Sequence, residues 1–228
     1  EMLEEEGQEP FTALAALVPA GPEEGNQAAG QDAGGREAGR GTEEFVAEPQ
    51  ANIRLSGAAV FSGDRMVGAL DERETRGLLW VRGEVQGGSM VLPCGEGEHV
   101  TVEILRSRAR IEARAEGGVP GFVVRIRTEG NITESHCHKD LRRPEVMIEL
   151  SALQAAEIAK EIEAGLTRAK ALRADVFGFG AALHRKEPKL WQQVRDRWPE
   201  VWPTLAVEVQ IEAHLRRTGL TSLPPEPK

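Results

Sequence analysis

The sequence predicts an α+β domain, a largely antiparallel sheet with one long helix and shorter helices packed on one face. Three patterns carry this. Apolar and polar residues alternate with period two between Val100 and Arg127, a 3.6-residue apolar stripe follows from Ser151 to about Ala174, and another alternating run closes the domain. Strands, then helices, then one strand is a segregated order, whereas an α/β chain alternates the two.

The apolar run Phe11–Val18 lies between Pro10 and Pro19 and fits one strand or two turns of helix. Residues 1–18 read as the tail of an upstream domain. Residues 19–51 hold mainly Gly, Ala, Glu and Gln, with little to bury. Ordering costs about 1–2 kcal/mol per residue, so a disordered acidic linker is expected there. The folded body is expected over 52–220 and a Pro-rich tail over 221–228. Residues 53–61 and 65–70 flank Ser62-Gly63-Asp64, good hairpin chemistry. Leu78 to Val85 reads as a further strand with Trp80 available for the core, and Ser89–Leu92 as one that pairs back after Gly87-Gly88.

Alternation then becomes clear. Val100, Val102 and Ile104 share one face of a strand, and Ala109, Ile111, Ala113 and Ala115 do so in the next. Phe122, Val124 and Ile126 alternate with Val123, Arg125 and Arg127 in a third, the pattern of antiparallel strands with one wet face. Ser151 and Gln154 read as a capping box that opens the long helix. Leu153, Ile158, Ile162, Leu166, Ala169 and Leu172 fall on its inner side, with Glu157, Lys160, Glu161, Glu163 and Arg168 toward water. Shorter helices are expected over Val176–His184 and from Pro188 to before Pro199. The final strand runs from Leu205 to His214, with Leu205, Val207, Val209 and Ile211 on one face.

Composition narrows the function. The chain has 228 residues and a formal charge of −9, but residues 1–50 hold 12 acidic and 2 basic side chains, so the body is near neutral. It has no basic stripe with interleaved aromatics, and no nucleic-acid partner is expected. No run reaches the roughly 18–20 apolar residues that span a bilayer.

The sharpest chemical constellation is His136-Cys137-His138. On a strand, both imidazoles would share a face and could share a metal, with Cys94 approaching. Structural zinc sites usually need tighter ligand pairs, and Cys94 is 42 residues from His136. The plainer reading is a polar strand end before the Lys139–Arg143 loop, where Asp140 offsets three bases. A Cys94–Cys137 bridge stays open for a location outside the cytosol.

Nucleophile and phosphate-loop motifs are missing. Gly178-Phe179-Gly180 lacks the spacing of a phosphate cradle and reads as a close-packing corner between helices. His99, His184 and His214 are isolated, no carboxylate pair stands out as an acid–base dyad, and Asn131-Ile132-Thr133 is a common chance sequon. Trp191, Trp198 and Trp202 fall within twelve residues and read as core. No catalytic, cofactor or metal residue is assigned, and no cofactor is expected.

Five separated stretches carry a resemblance. They are Gly57-x-Ala59-Val60-Phe61 with Asp64-Arg65-Met66-Val67-Gly68-x-Leu70; Glu74-Thr75-Arg76-Gly77-Leu78-Leu79-Trp80; Ala174-Asp175-Val176-Phe177-Gly178-Phe179-Gly180; Pro188-Lys189-Leu190-Trp191 with Trp198; and Val207-x-Val209-x-Ile211 leading to Arg217 and Gly219. In this order they resemble the C-terminal domain of the Ger(x)C family, the C subunits of spore germinant receptors. The resemblance implies a non-enzymatic subunit, lipid-anchored at a cysteine upstream of this chain on the outer face of the inner spore membrane. It implies two multipass membrane partners, the A- and B-type subunits. The alternative is an extracytoplasmic module that binds the germinant itself, and a third reading is a metal-dependent hydrolase using His136 and His138.

Overall fold

A computed structural model of the chain describes residues 11–19 and 51–217. The expected hairpin is present. Strands β2 (Ala51–Ser62) and β3 (Arg65–Leu70) pair antiparallel, and Gly63 takes the positive φ of 62° that the tight turn requires. The run between Pro10 and Pro19 forms β1 (Phe11–Pro19), which pairs with β2 to give a three-stranded sheet ordered β1-β2-β3. Of the linker expected over 19–51, Pro19 ends β1 and Ala51 begins β2, and the rest, with the Pro-rich tail, lies outside the described residues.

Where a strand is expected over Leu78–Val85, the chain instead forms helix α1 (Glu72–Arg82). The short run Leu-Leu-Trp-Val suits either element, and the flanks decide. Asp71 Oδ1 accepts the Glu74 N–H at 2.7 Å while Glu74 Oε2 accepts the Asp71 N–H at 2.8 Å, a capping box. Gly83, at φ 71°, closes the other end in the left-handed conformation.

A second sheet follows, ordered β4-β5-β6-β7, from β4 (Ser89–Gly95), β5 (Glu98–Glu116), β6 (Val119–Ser135) and β7 (Val207–Arg217). Strands β4 to β6 are antiparallel, and β7 joins β6 in parallel. The two apolar runs read as separate strands in 100–115 are one strand, β5. A register shift between Ile104 and Arg106 explains the reading. The extra residue of a bulge moves the inward set from even numbers (Val100, Val102, Ile104) to odd ones (Ala109, Ile111, Ala113).

The long helix α2 spans Pro144–Ala171 and begins seven residues before the expected cap. Pro144 suits a first turn, where the missing N–H costs nothing. Ser151 therefore lies inside the helix: its hydroxyl donates to Met147 O at 2.8 Å and accepts the Leu215 N–H at 3.3 Å. Gln154 is buried and does not cap. Helices α3 (Phe179–Lys186), α4 (Pro188–Val194) and α5 (Trp198–Val201) complete the α+β domain, with 3-10 turns at Arg195–Arg197 and Trp202–Thr204.

Helices α1 and α2 cross backbone to backbone. A Cβ on Gly77 would stand 2.0 Å from Glu161 O, and one on Gly165 2.7 Å from Glu74 O. This closeness lets Trp80, fully buried, donate its indole N–H to Glu161 Oε2 at 2.7 Å. Glu161 also pairs with Arg76 at 3.4 Å and is only 15% exposed, so it faces the helix crossing and not water as expected. Inserting a methyl here forces the helices apart. Gly77→Ala is predicted to lower stability by about 3 kcal/mol, read from the urea midpoint. Gly121→Ala, whose Cβ would meet nothing nearer than Ala206 O at 3.8 Å, should stay within about 0.5 kcal/mol of wild type.

Candidate functional site

The densest set of polar contacts sits where α2 hands over to α3. Asp175 Oδ1 accepts the N–H groups of Gly178 and Phe179 at 3.0 Å each, and Oδ2 accepts Gly180 N–H at 2.6 Å and Trp198 Nε1–H at 3.0 Å. One carboxylate thus satisfies three backbone donors at the start of α3, where negative charge also meets the positive end of the helix dipole. Gly178 has φ 83°, and a Cβ on Gly180 would lie 3.0 Å from both Trp191 and Trp198. Gly178-Phe179-Gly180 is a packing corner.

An aromatic cluster grows from this corner. Phe179 stacks on Trp202 at 6.0 Å between ring centroids, lies 4.7 Å from Phe122 on β6, and is flanked by Phe177 at 5.5 Å. Trp198 meets Phe122 edge-on, and Trp191 packs on Trp198 at 5.2 Å. Trp198 and Trp202 are buried and Trp191 half-buried. All four donors occupy the Asp175 oxygens, so this carboxylate serves the fold.

The cysteine and histidine residues collect at one end of the four-stranded sheet. Strand β6 ends at Ser135, so His136 and His138 lie beyond it and engage different carboxylates. His136 Nε2 hydrogen-bonds with Glu134 at 2.9 Å, its N–H reaches His99 O at 2.9 Å, and its ring lies 4.8 Å from that of His99. The His138 ring hydrogen-bonds with Glu98, whose other oxygen accepts the His138 backbone N–H at 3.1 Å. That backbone contact, then the ring, holds the Glu98 carboxyl below its usual range. Nearby, Arg142 grips Asp140 through side chain and backbone and pulls its carboxyl down to about 2.

Cys94 and Cys137 are buried and form a disulfide with Cα atoms 6.1 Å apart. It ties the end of β4 to the segment after β6, across the start of β5. Glu98 lies within reach of both sulfurs. With the sulfurs bonded to each other, the pair has no thiolate to offer a metal.

The wet face of the sheet carries ion pairs between strands. Arg125 of β6 pairs with Glu112 of β5, Arg127 of β6 with Glu212 of β7 at 2.7 Å, and Arg114 of β5 reaches past β6 to Glu208 of β7 at 3.5 Å. Exposed pairs of this kind are each worth about 0–1 kcal/mol, so they set surface character more than stability.

A family model described as "Spore germination B3/ GerAC like, C-terminal" matches residues 56–219. The chain belongs to this family. Among curated relatives from Bacillus subtilis (strain 168), Spore germination protein KC is 27% identical over 180 residues, covering 78% of this chain and 44% of the relative. Spore germination protein YndF is 26% identical over 171 residues, 73% of this chain and 42% of the relative. Spore germination protein B3 is 24% identical over 162 residues, with shares of 69% and 43%. The chain therefore spans less than half the length of these relatives. A crystal structure of the GerBC protein shares the fold, with TM-score 0.63 and 21% identity over 74% of this chain and 53% of that one.

The five stretches that carry the resemblance fall on packing points. They are the β2–β3 hairpin, the α1 face that crosses α2, the Asp175 corner, the Trp191–Trp198 contact and β7. Sequence reasoning missed Glu161 because its partners, Arg76 and Trp80, lie about 80 residues earlier and only the helix crossing joins them.

Asp175→Ala should cost about 3 kcal/mol. Trp198→Phe, which removes one donor, should cost about 1 kcal/mol, with the double variant less than additive in chemical denaturation. Reducing Cys94–Cys137, which closes a loop of sequence separation 43, should lower the urea-derived stability by about 2–4 kcal/mol.

Proposed function

We propose that this chain is the C-terminal part of a germinant-receptor C subunit, a non-catalytic component of nutrient-triggered spore germination that works through protein contacts. The observation that supports this reading most is the continuous family match over 56–219. The resemblance adds the setting: the outer face of the inner spore membrane, a lipid anchor on a cysteine upstream of this chain, and multipass A- and B-type subunits as partners.

Physical chemistry favours a role for protein contacts in such a setting. A single acyl chain binds a bilayer only marginally and reversibly. Contacts with membrane-embedded partners would have to hold the subunit in place. Asp175, the polar residue with the most hydrogen bonds at the helix corner, is occupied by structural donors.

The test uses the full-length protein in spores. Tagged protein captured from cross-linked, detergent-solubilised spore membranes should bring down two multipass subunits, identified by mass spectrometry. Capture that recovers no multipass membrane protein, from spores in which the tagged protein still supports germination, sinks the reading.

A further inference from the structure

We propose that β7 is the seam of a two-fold homodimer, in which two copies join their four-stranded sheets edge to edge. Strand β7 is the last in its sheet, with β6 on one side. The Phe122 N–H donates to Ala206 O at 3.0 Å, which sets the phase of the parallel ladder. Even-numbered residues from Glu208 onward face β6, and Val207, Val209, Ile211, Ala213 and Leu215 turn their N–H and C=O groups outward. Leu215 N–H is taken by the Ser151 hydroxyl at 3.3 Å. Among the described residues, no strand pairs with the outer edge of Val207–Ala213.

The two edges of this sheet are guarded differently. Strand β4 is short, carries Pro93, and has a register shift between Pro93 and Gly95, all features that discourage further pairing. Strand β7 has eleven residues, no proline and an unbroken register with β6. From Val207 to Leu215 its core-side residues are apolar, so no inward charge blocks an incoming strand along that stretch. Beside it runs a groove walled by Ile148, Ala152 and Ala155 of α2, and Ile148 is 70% exposed.

The charge pattern selects the occupant. On its wet face β7 is acidic in the first half (Glu208, Glu212) and basic in the second (His214, Arg216). An antiparallel second copy sets acidic against basic. With Ile211 on the two-fold axis, Val209 faces the second copy's Ala213, Glu208 faces its His214, and Gln210 faces its Glu212. Moving the axis to residue 210 would oppose Glu208 and Glu212, and moving it to 212 would oppose the two Glu212 side chains. Like charges directly opposite each other destabilise a sheet. An axis at 213 needs the Leu215 N–H that Ser151 holds. The Ile211 register avoids the like-charge pairs and meets Leu215 only in its outermost pair, opposite Val207, so it forms about six backbone hydrogen bonds without that N–H, and it closes as a two-fold dimer must.

Light scattering on the whole 24.8 kDa chain should give twice the monomer mass, falling to one on dilution. Val209→Pro removes an outward N–H at a position where an edge strand tolerates proline, and trims a half-buried side chain at the margin of the core. It should leave the circular dichroism spectrum intact and raise the dissociation constant by at least about tenfold, or about 1.4 kcal/mol. Ile148→Lys should weaken the dimer without unfolding it. A chain with Gln210→Cys and Glu212→Cys should cross-link to a covalent dimer under mild oxidation, and one with Glu208→Cys and Glu212→Cys should not. A monomeric mass at every concentration, or a dimer that Val209→Pro and Ile148→Lys leave unchanged, overturns the proposal.

Discussion

The Asp175 carboxylate is the point on which the rest of the domain turns. Strand β7 lies parallel to β6, so the chain between them must leave one end of the sheet and return to the other. That crossover runs through α2, a sharp corner and three short helices. Short helices are marginal by themselves, and α3 to α5 hold only eight, seven and four residues. Asp175 satisfies the N-terminal donors of α3 and fixes Trp198 at the start of α5. The aromatic cluster then forms against Phe122, which seats the crossover on the strand that β7 must join.

The same economy appears at the other contacts. Gly77 and Gly165 let α1 approach α2 closely enough for Trp80 and Arg76 to meet Glu161. The disulfide and the Glu98–His138 contacts hold the opposite end of the sheet. The residues that mark the family are thus largely those without which these surfaces would not close.

Much of the architecture was legible in the sequence because the signals are local. Ser62-Gly63-Asp64 marked the first hairpin, the alternation of Phe122, Val124 and Ile126 marked β6, and Gly178-Phe179-Gly180 marked a close-packing corner between helices. The errors have physical causes. Leu78–Val81 is too short an apolar run to show a period, and the decisive Asp71–Glu74 box lay outside it. Ser151 and Gln154 match a cap pattern by chance, and only the helix geometry shows that Ser151 bonds one turn back and across to Leu215. The bulge after Ile104 broke one strand into two apparent ones.

The sequence by itself determined the α+β class and the family, since these rest on periodicity, turn residues and motifs that neighbours along the chain define. Tertiary structure alone decided which groups meet across long separations. It paired Glu161 with Trp80, bridged Cys94 to Cys137, kept His136 and His138 on different carboxylates, and left β7 at the edge of its sheet. Each depends on two segments brought together by burial elsewhere, and no local pattern records such a meeting.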